Sequence, residues 1–210
     1  MNAMNEDPFH VTDLAALEAL YGTPGVASLR KEVDYIHPHY RAFIAASPFM
    51  VLASSGPGGL DASPRGDQPG FVEVKDDKTL LIPDRRGNNR IDTLRNIVTD
   101  PRVALIFLIP GVGETLRVIG RAHITTNPEL LGRFAVDEKL PKSVIVVHVE
   151  SVYFQCARAV LRSGLWDSSQ QVDRKSLPST GAILEALSRS EIDGVKYDQE
   201  LPGRLKDSLY

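Results

Sequence analysis

Three arginines, Arg85, Arg86 and Arg90, stand around Gly87, Asn88 and Asn89 in the run PDRRGNNR. Guanidinium forks, amide donors and the free N–H groups of a helix start together make an anion site, and a phosphate is the natural guest. The competing interpretation is a solvated basic loop, since surface charge clusters are usually no more than that. A second segment of interest is SPRGDQPGF, residues 63–71. Its two prolines and two glycines argue against a regular strand through its middle. A chain that bulges there brings backbone N–H groups and Arg65 close to a ligand. The alternative is a surface loop closed by an Arg65–Asp67 pair. Trp166, the only tryptophan, lies in the polar run RSGLWDSS. It either plugs the packing or stacks on a flat ligand.

The elements that must position these residues follow from periodicity and turn signals. Thr79–Ile82 is a short apolar strand that stops at Pro83. Asn88 or Asn89 can cap the next helix, whose apolar face is Ile91, Leu94, Ile97 and Val98 and whose stop is Asp100-Pro101. Val103–Ile109 is apolar nearly throughout, which predicts a strand buried on both faces. Pro110-Gly111 turns the chain into a strand over Thr115–Ile124. Upstream, Thr12 or Asp13 caps a helix ended by Gly22, with Leu14, Leu17 and Leu20 on one side. A helical pattern runs from Pro24 to about Tyr35, and another helix covers Pro38–Ala46. Phe49–Ser54, Leu60–Pro64 and Phe71–Lys75 are further strands. Asn127-Pro128 opens a helix carrying Leu130, Leu131 and Phe134. Ser143–Glu150 is a β-branched central strand, extended by Val152–Cys156 through a bulge. His148, among its valines, is a core or interface histidine. Two helical patterns, around Thr180–Arg189 and near the end, follow.

Composition bounds the function. The chain has 210 residues, 42% apolar and 24% charged, with a net charge of -3. That is ample for a sizeable core, and it implies no broad nucleic-acid or membrane field. The single cysteine, Cys156, excludes an internal disulfide and fits a reducing cytoplasm. No apolar run approaches the roughly 20 residues of a membrane span, and the polar, acidic start MNAMNEDPFH is unlike a signal peptide. His37 and His39 flank Pro38 without partner ligands at useful spacing, so no metal site is expected. About seven or eight strands at hairpin spacing suit a small antiparallel barrel rather than βαβ units. No dinucleotide fingerprint, P-loop or nucleophile elbow is present.

The run LLIPDRRGNNRIDTLRNIVTDPRVALIFLIPG, with ETLRVIGRA after it, resembles the core of the pyridoxamine 5'-phosphate oxidase-like, FMN-binding split-barrel family. Gly87-Asn88-Asn89-Arg90 occupies that family's Gly-Ser-Arg-Lys-type turn, Asp100-Pro101-Arg102-Val103 its helix exit, and Arg117–Ala122 its V-x-G-x-A strand. The segments SPF, SPRGDQPGFV, PDRRGNNR and RSGLW resemble a bacterial subfamily of FMN-dependent enzymes. The likeness covers roughly residues 24–170. It implies a mainly β fold: a six- to eight-stranded antiparallel split β-barrel over 47–170, with N-terminal helices over 1–46 and a C-terminal helical tail over 171–210. It also implies a homodimer with FMN at the interface.

Carried over by position, the resemblance gives Arg90 to the FMN phosphate. Asn89 stands where the family often has Arg, so Arg85 or Arg86 is the substitute, with Asn88 beside them. Ile82 and Pro83 fall beside the flavin ring. Thr115, and Arg117 two residues on, fall near it. Ser63 and Arg65 belong to the strand that meets the phosphate and the ring edge. Arg162 and Trp166 are candidates for contacts reaching across the dimer. Arg65 or Arg117 would stabilise the reduced, anionic ring, and no catalytic base is assigned. The family's substrate-handling end, with its E-[aromatic]-W and R-L-H-D-R pattern, is replaced here by VESVYFQCARAVLRSGLWDSS. The implied function is therefore an FMN-dependent oxidoreductase of an unidentified small molecule, the vitamin B6 substrate not being carried over, with a nicotinamide nucleotide or O2 as redox partner. The alternatives are a flavin carrier or sensor without turnover, and a haem-binding split barrel using His123 or His148. The phosphate cradle argues against haem.

Overall fold

The computed structural model describes residues 7–210. The chain divides into two compact units, residues 1–32 and 33–210, so residues 33–46 go with the strands that follow them. In the first unit, α1 (Leu14–Tyr21) begins where the Asp13 carboxylate accepts the Ala16 N–H at 2.8 Å. It ends at Gly22, whose φ of +69° a side-chain-bearing residue would resist. Leu14, Leu17 and Leu20 are exposed. A second helix, α2, covers only Val26–Arg30. The helical pattern expected to reach Tyr35 stops there because Val33 takes an extended conformation instead. Val33 exchanges two backbone hydrogen bonds with Val152, at 3.1 and 2.8 Å.

The second unit opens with α3 (Pro38–Ala46), capped by His37, whose Nδ1 accepts the His39 N–H at 3.2 Å. Then come β1 (Phe49–Gly56), β2 (Gly59–Gly66), β3 (Glu73–Val74), β4 (Thr79–Pro83), α4 (Asp92–Thr99), β5 (Arg102–Leu108), β6 (Thr115–Thr125), α5 (Pro128–Arg133) and β7 (Val144–Gln155). After these lie α6 (Arg158–Ser163), two 3-10 turns, α7 (Thr180–Leu187) and α8 (Gly194–Asp207). The seven strands form one sheet in the order β2-β1-β5-β6-β7-β4-β3, antiparallel at every junction. Its inner face carries the core, including Met50, Leu52, Leu80, Ile82, Leu105, Phe107, Leu116, Val118 and Val152. A smaller cluster on the other face joins Leu81, Val144 and Val146 to Phe134, with Leu130 and Leu131 of α5 against it.

Several local expectations are refined. Strand β2 runs two residues past Pro64, to Gly66, and the chain leaves it at Asp67, so no regular strand passes through the middle of residues 63–71, as expected. Proline is tolerated because β2 is an edge strand paired only with β1, so the missing N–H removes no second ladder bond. Neither Asn88 nor Asn89 caps α4: Asn88 Oδ1 accepts the Arg90 N–H at 3.0 Å, and the helix starts after Ile91. Its buried face is Thr93, Asn96 and Ile97, while Val98 and Ile91 are exposed. Asn96 can be buried because its amide donates to Ser54 Oγ at 3.1 Å. Strand β5 is buried on one face only, through Val103, Leu105 and Phe107; Ala104, Ile106 and Leu108 are half-buried. Of the two places expected for His148, core or interface, the core is ruled out: the residue is exposed, stacked on His123 with ring centroids 5.7 Å apart.

Candidate functional site

The two edges of the sheet do not pair with each other, and a cleft of about 540 Å³ lies along that seam. This is within the roughly 300–1,000 Å³ of ordinary small-molecule sites. One wall is the end of β2, residues 63–66; the other is the segment that leaves β4, residues 83–91. Lys142 and Ser143 reach the cleft because β7 pairs with β4, with Pro83 opposite Val144. Phe71, Pro64, Pro83, Ile91 and Leu94 supply apolar surface. Among the described residues, five cationic side chains line the cleft against one carboxylate, that of Asp84. The potential inside is therefore positive and suits an anion.

Two ion pairs cross the seam. Arg65 Nη1 donates to Asp84 Oδ1 at 2.6 Å, with side-chain exposures of 14% and 18%. Arg85 Nε donates to Asp67 Oδ2, also at 2.6 Å. The pairing is thus exchanged relative to the sequence expectation of Arg65 with Asp67. Arg65 and Asp67 lie in one segment, but Gly66 ends β2 between them, and each finds its partner on the opposite wall. Arg85 is further held by Nη1 donating to the Phe134 carbonyl at 2.6 Å. The Arg65 guanidinium keeps one buried donor, Nε, that meets no acceptor among the described residues. Leaving such a group unpaired costs about 1–3 kcal/mol.

The remaining cations are freer. Arg90 leans on Asp92 at 2.9 Å and is largely exposed. Arg86 is exposed. Lys142 Nζ donates to Asn89 Oδ1 at 3.1 Å, and Asn89 holds a left-handed φ of 60° that asparagine tolerates better than most residues. Thr93 Oγ1 bonds to Asp61 below the cleft.

Of the sequence-chosen residues, the cleft gathers Ser63, Arg65, Pro83, Arg85, Asn88, Asn89 and Arg90. Ile82 faces the core instead and is fully buried. Thr115 and Arg117 lie on the outer face of β6. There Thr115 meets Gln155 at 3.4 Å, and Arg117 Nη1 donates to the Tyr153 hydroxyl at 2.9 Å rather than pairing with Glu114. Arg162 is exposed on α6, and Trp166 donates its indole N–H to the Val112 carbonyl at 2.7 Å. None of these four lines the cleft, and neither do His123 and His148. Sequence reasoning missed Asp84, Lys142, Ser143, Phe71 and Asp67. Asp84 was within reach, since it sits inside PDRRGNNR; Lys142 needed the β4–β7 pairing.

Asp67 also predicts a pH response. Its side chain is only 4% exposed. Burial alone would raise its pKa, but hydrogen bonds from Tyr210, the Gln68 N–H and Arg85 outweigh this and hold it below the ordinary carboxylate value. A depressed folded-state value stabilises the protein above the unfolded-chain value of about 3.9, and that stabilisation is lost as pH falls through the folded value. The melting temperature of the wild type should therefore exceed that of Asp67→Asn at neutral pH, and the gap should close as pH is lowered from about 5 to about 2. Other depressed carboxylates, such as Asp34 and Asp198, act equally in both proteins and cancel. A constant gap in melting temperature across that range would refute the assignment.

A split antiparallel barrel with a cationic cleft along its seam is the class of protein this fold and site define. The chain belongs to the pyridoxamine 5'-phosphate oxidase family, whose model matches residues 36–156. Among solved structures, HupZ of Group A Streptococcus aligns at 19% identity and a TM-score of 0.49, over 58% of this chain and 94% of that one. General Stress Protein 26 of Bacillus anthracis aligns at 16% identity and a TM-score of 0.41, over 54% and 88%. A Clostridium acetobutylicum protein of the pyridoxinephosphate oxidase family, related to general stress protein 26 of B. subtilis, aligns at 10% identity and 0.42, over 56% and 86%. No curated protein matches the chain. Among the described residues, no helix is long and apolar enough to cross a membrane.

Proposed function

We propose that this chain is an FMN-binding flavoprotein of the cytoplasm, and that it works as an FMN-dependent oxidoreductase on a small molecule. The observation that carries the reading is the buried, unpartnered Nε of Arg65 in a cleft lined by five cations and one carboxylate. That donor set fits a phosphorylated, flat, partly apolar cofactor. Arg86, Arg90 and Lys142 would hold the phosphate, with Ser63 Oγ as a further donor. Phe71, Pro64, Pro83 and Leu94 would offer the apolar contacts. Arg65 would bond an electronegative edge of the ring system. Bound FMN supplies two-electron redox chemistry. The protein's share is to hold the anion, exclude water from the seam and present a fixed positive charge.

A homodimer is part of the proposal. Val51, Ala53, Ala104, Ile106 and Ile119 are half-buried and adjoin across β1, β5 and β6 on the outer face, beside Arg117 and Tyr153. A second copy covering this apolar row would explain why those residues are not polar. Arg162 and Trp166 are the side chains proposed to reach the partner's cleft.

The visible absorption spectrum of the purified protein, followed by anaerobic titration with NADH and NADPH, tests the function. Flavin bands bleached by one nucleotide are expected, which would also identify the donor. Flavin bands that neither nucleotide bleaches would leave O2 or another acceptor-driven route, or a carrier. A colourless protein that takes up no added FMN would overturn the proposal.

A further inference from the structure

Arg85 lines the cleft, its guanidinium bonded to Asp67 and to the Phe134 carbonyl, and Asp67 is itself held by a residue far along the chain. Asp67 Oδ1 accepts the Tyr210 hydroxyl at 2.7 Å, while Asp67 Oδ2 accepts Arg85 Nε at 2.6 Å. The Tyr210 ring also lies 5.6 Å from the Arg85 guanidinium carbon, within cation–π range. The Tyr210 main-chain oxygen accepts from Lys139 Nζ at 3.3 Å. Tyr210 follows α8 closely, and α8 packs against α7 where Gly181 and Gly194, each at the start of its helix, let the backbones touch. The Gly181 N–H donates to Asp198 at 2.7 Å, so this pair is itself tied together.

We propose that Tyr210 is a positioning residue. Through Asp67 it sets Arg85, and with Arg85 the cleft-lining segment 84–90, so the C-terminal helical pair is coupled to the ligand site. The physical case is one of order. Segment 84–90 is exposed from Arg86 onward; Asp84 is tied across the seam to Arg65 and Asn89 to Lys142, and the Arg85 side chain anchors the stretch between them. A carboxylate that receives three donors cannot swing to another rotamer, so Asp67 holds Arg85 still only while Tyr210 and the Gln68 N–H hold Asp67. This coupling goes beyond the flavin proposal and stands without it.

Amide hydrogen exchange on the whole protein, with no FMN added, tests the coupling in Tyr210→Phe and Tyr210→Ala. The phenylalanine variant keeps the ring over Arg85 and loses only the hydroxyl. It should speed exchange across residues 85–90 by about tenfold, the equivalent of one charge-assisted hydrogen bond, and leave β5 and β6 unchanged. The Asp67 carboxyl carbon resonance should titrate at higher pH in Tyr210→Phe, because a donor to the carboxylate has gone. Unchanged exchange at 85–90 in both variants would overturn the proposal. So would faster exchange spread evenly over the barrel, which is mere loss of stability, or an Asp67 titration that does not move. Because the readout needs no cofactor, its failure is distinct from failure to bind flavin.

Discussion

Arg65→Leu should weaken FMN binding by roughly 10- to 100-fold, while Asp84→Asn should tighten it. The size follows from the loss of a charge-assisted hydrogen bond, about 1.5–3 kcal/mol, at a site shielded from water. The direction follows from the Arg65–Asp84 pair. With Arg65 gone, the Asp84 carboxylate loses its only side-chain partner among the described residues, in a cleft proposed to accept an anion, and repulsion adds to the lost contact. With Asp84 neutral, the arginine is no longer half-committed and the positive field rises. The two roles of Arg65 can be separated. The pair is about five-sixths buried on both sides, so breaking it should also cost stability, of the order of 1–3 kcal/mol in denaturant unfolding. In the double variant Arg65→Leu with Asp84→Asn, no lone charge remains, so stability should recover while FMN affinity stays low. Fluorescence titration with FMN and urea unfolding of the four proteins complete the cycle. If Arg65→Leu binds FMN as the wild type does, the buried Nε is not a ligand donor and the site assignment loses its main support.

How much of this could be read from the sequence depends on distance along the chain. The strands at Phe49, Thr79 and Val103 were legible because their apolar runs end at Pro or Gly, and the one at Val144 because it is rich in β-branched residues. The cleft's cationic wall was legible because Arg85–Arg90 is one continuous segment. What periodicity could not supply were the partners. Arg65 and Asp67 look like a pair because they are two apart, but the barrel's seam brings Asp84 and Arg85 across, 19 and 18 residues away. Tyr210 is 143 residues from Asp67 and carried no local signal. The two-sided burial expected of Val103–Ile109 was a fair inference from composition, and a half-buried outer row of Ala104, Ile106 and Leu108 is what that composition means when one face lacks a cover in the single chain. Propensity also misplaced the start of α4. Asparagines are good caps in general, but here Asn88 closes its own turn onto Arg90 and Asn89 takes the left-handed conformation that redirects the chain.

The glycine of the V-x-G-x-A strand motif shows the same limit from the other side, since its position was recognisable and its reason was not. Gly120→Ala should be the most damaging single-methyl change in the barrel, costing about 3 kcal/mol or more and lowering the melting temperature by roughly 6–12 °C. The register of β6 on β7 shifts between Ile119 and Gly120: Ile119 faces Ser151 while Gly120 faces Val149, leaving Glu150 as the extra residue of a bulge. The bulge drives the His148 carbonyl oxygen toward Gly120, so an added Cβ would fall inside that oxygen's contact radius, with the Val147 side chain at 3.3 Å behind it. A backbone carbonyl cannot step aside as a side-chain tip can. Relief requires re-registering the strand pair that joins the two halves of the sheet, which would turn His148 and Glu150 toward the core. Gly87→Ala is the control, because nothing lies within 4 Å of its added Cβ and its φ is ordinary; its effect should stay within about 0.5 kcal/mol. Thermal melts of both variants decide the matter. A Gly120→Ala protein that melts with the wild type would mean that the bulge yields freely, and the motif's glycine would then owe its place to something other than the path of β7.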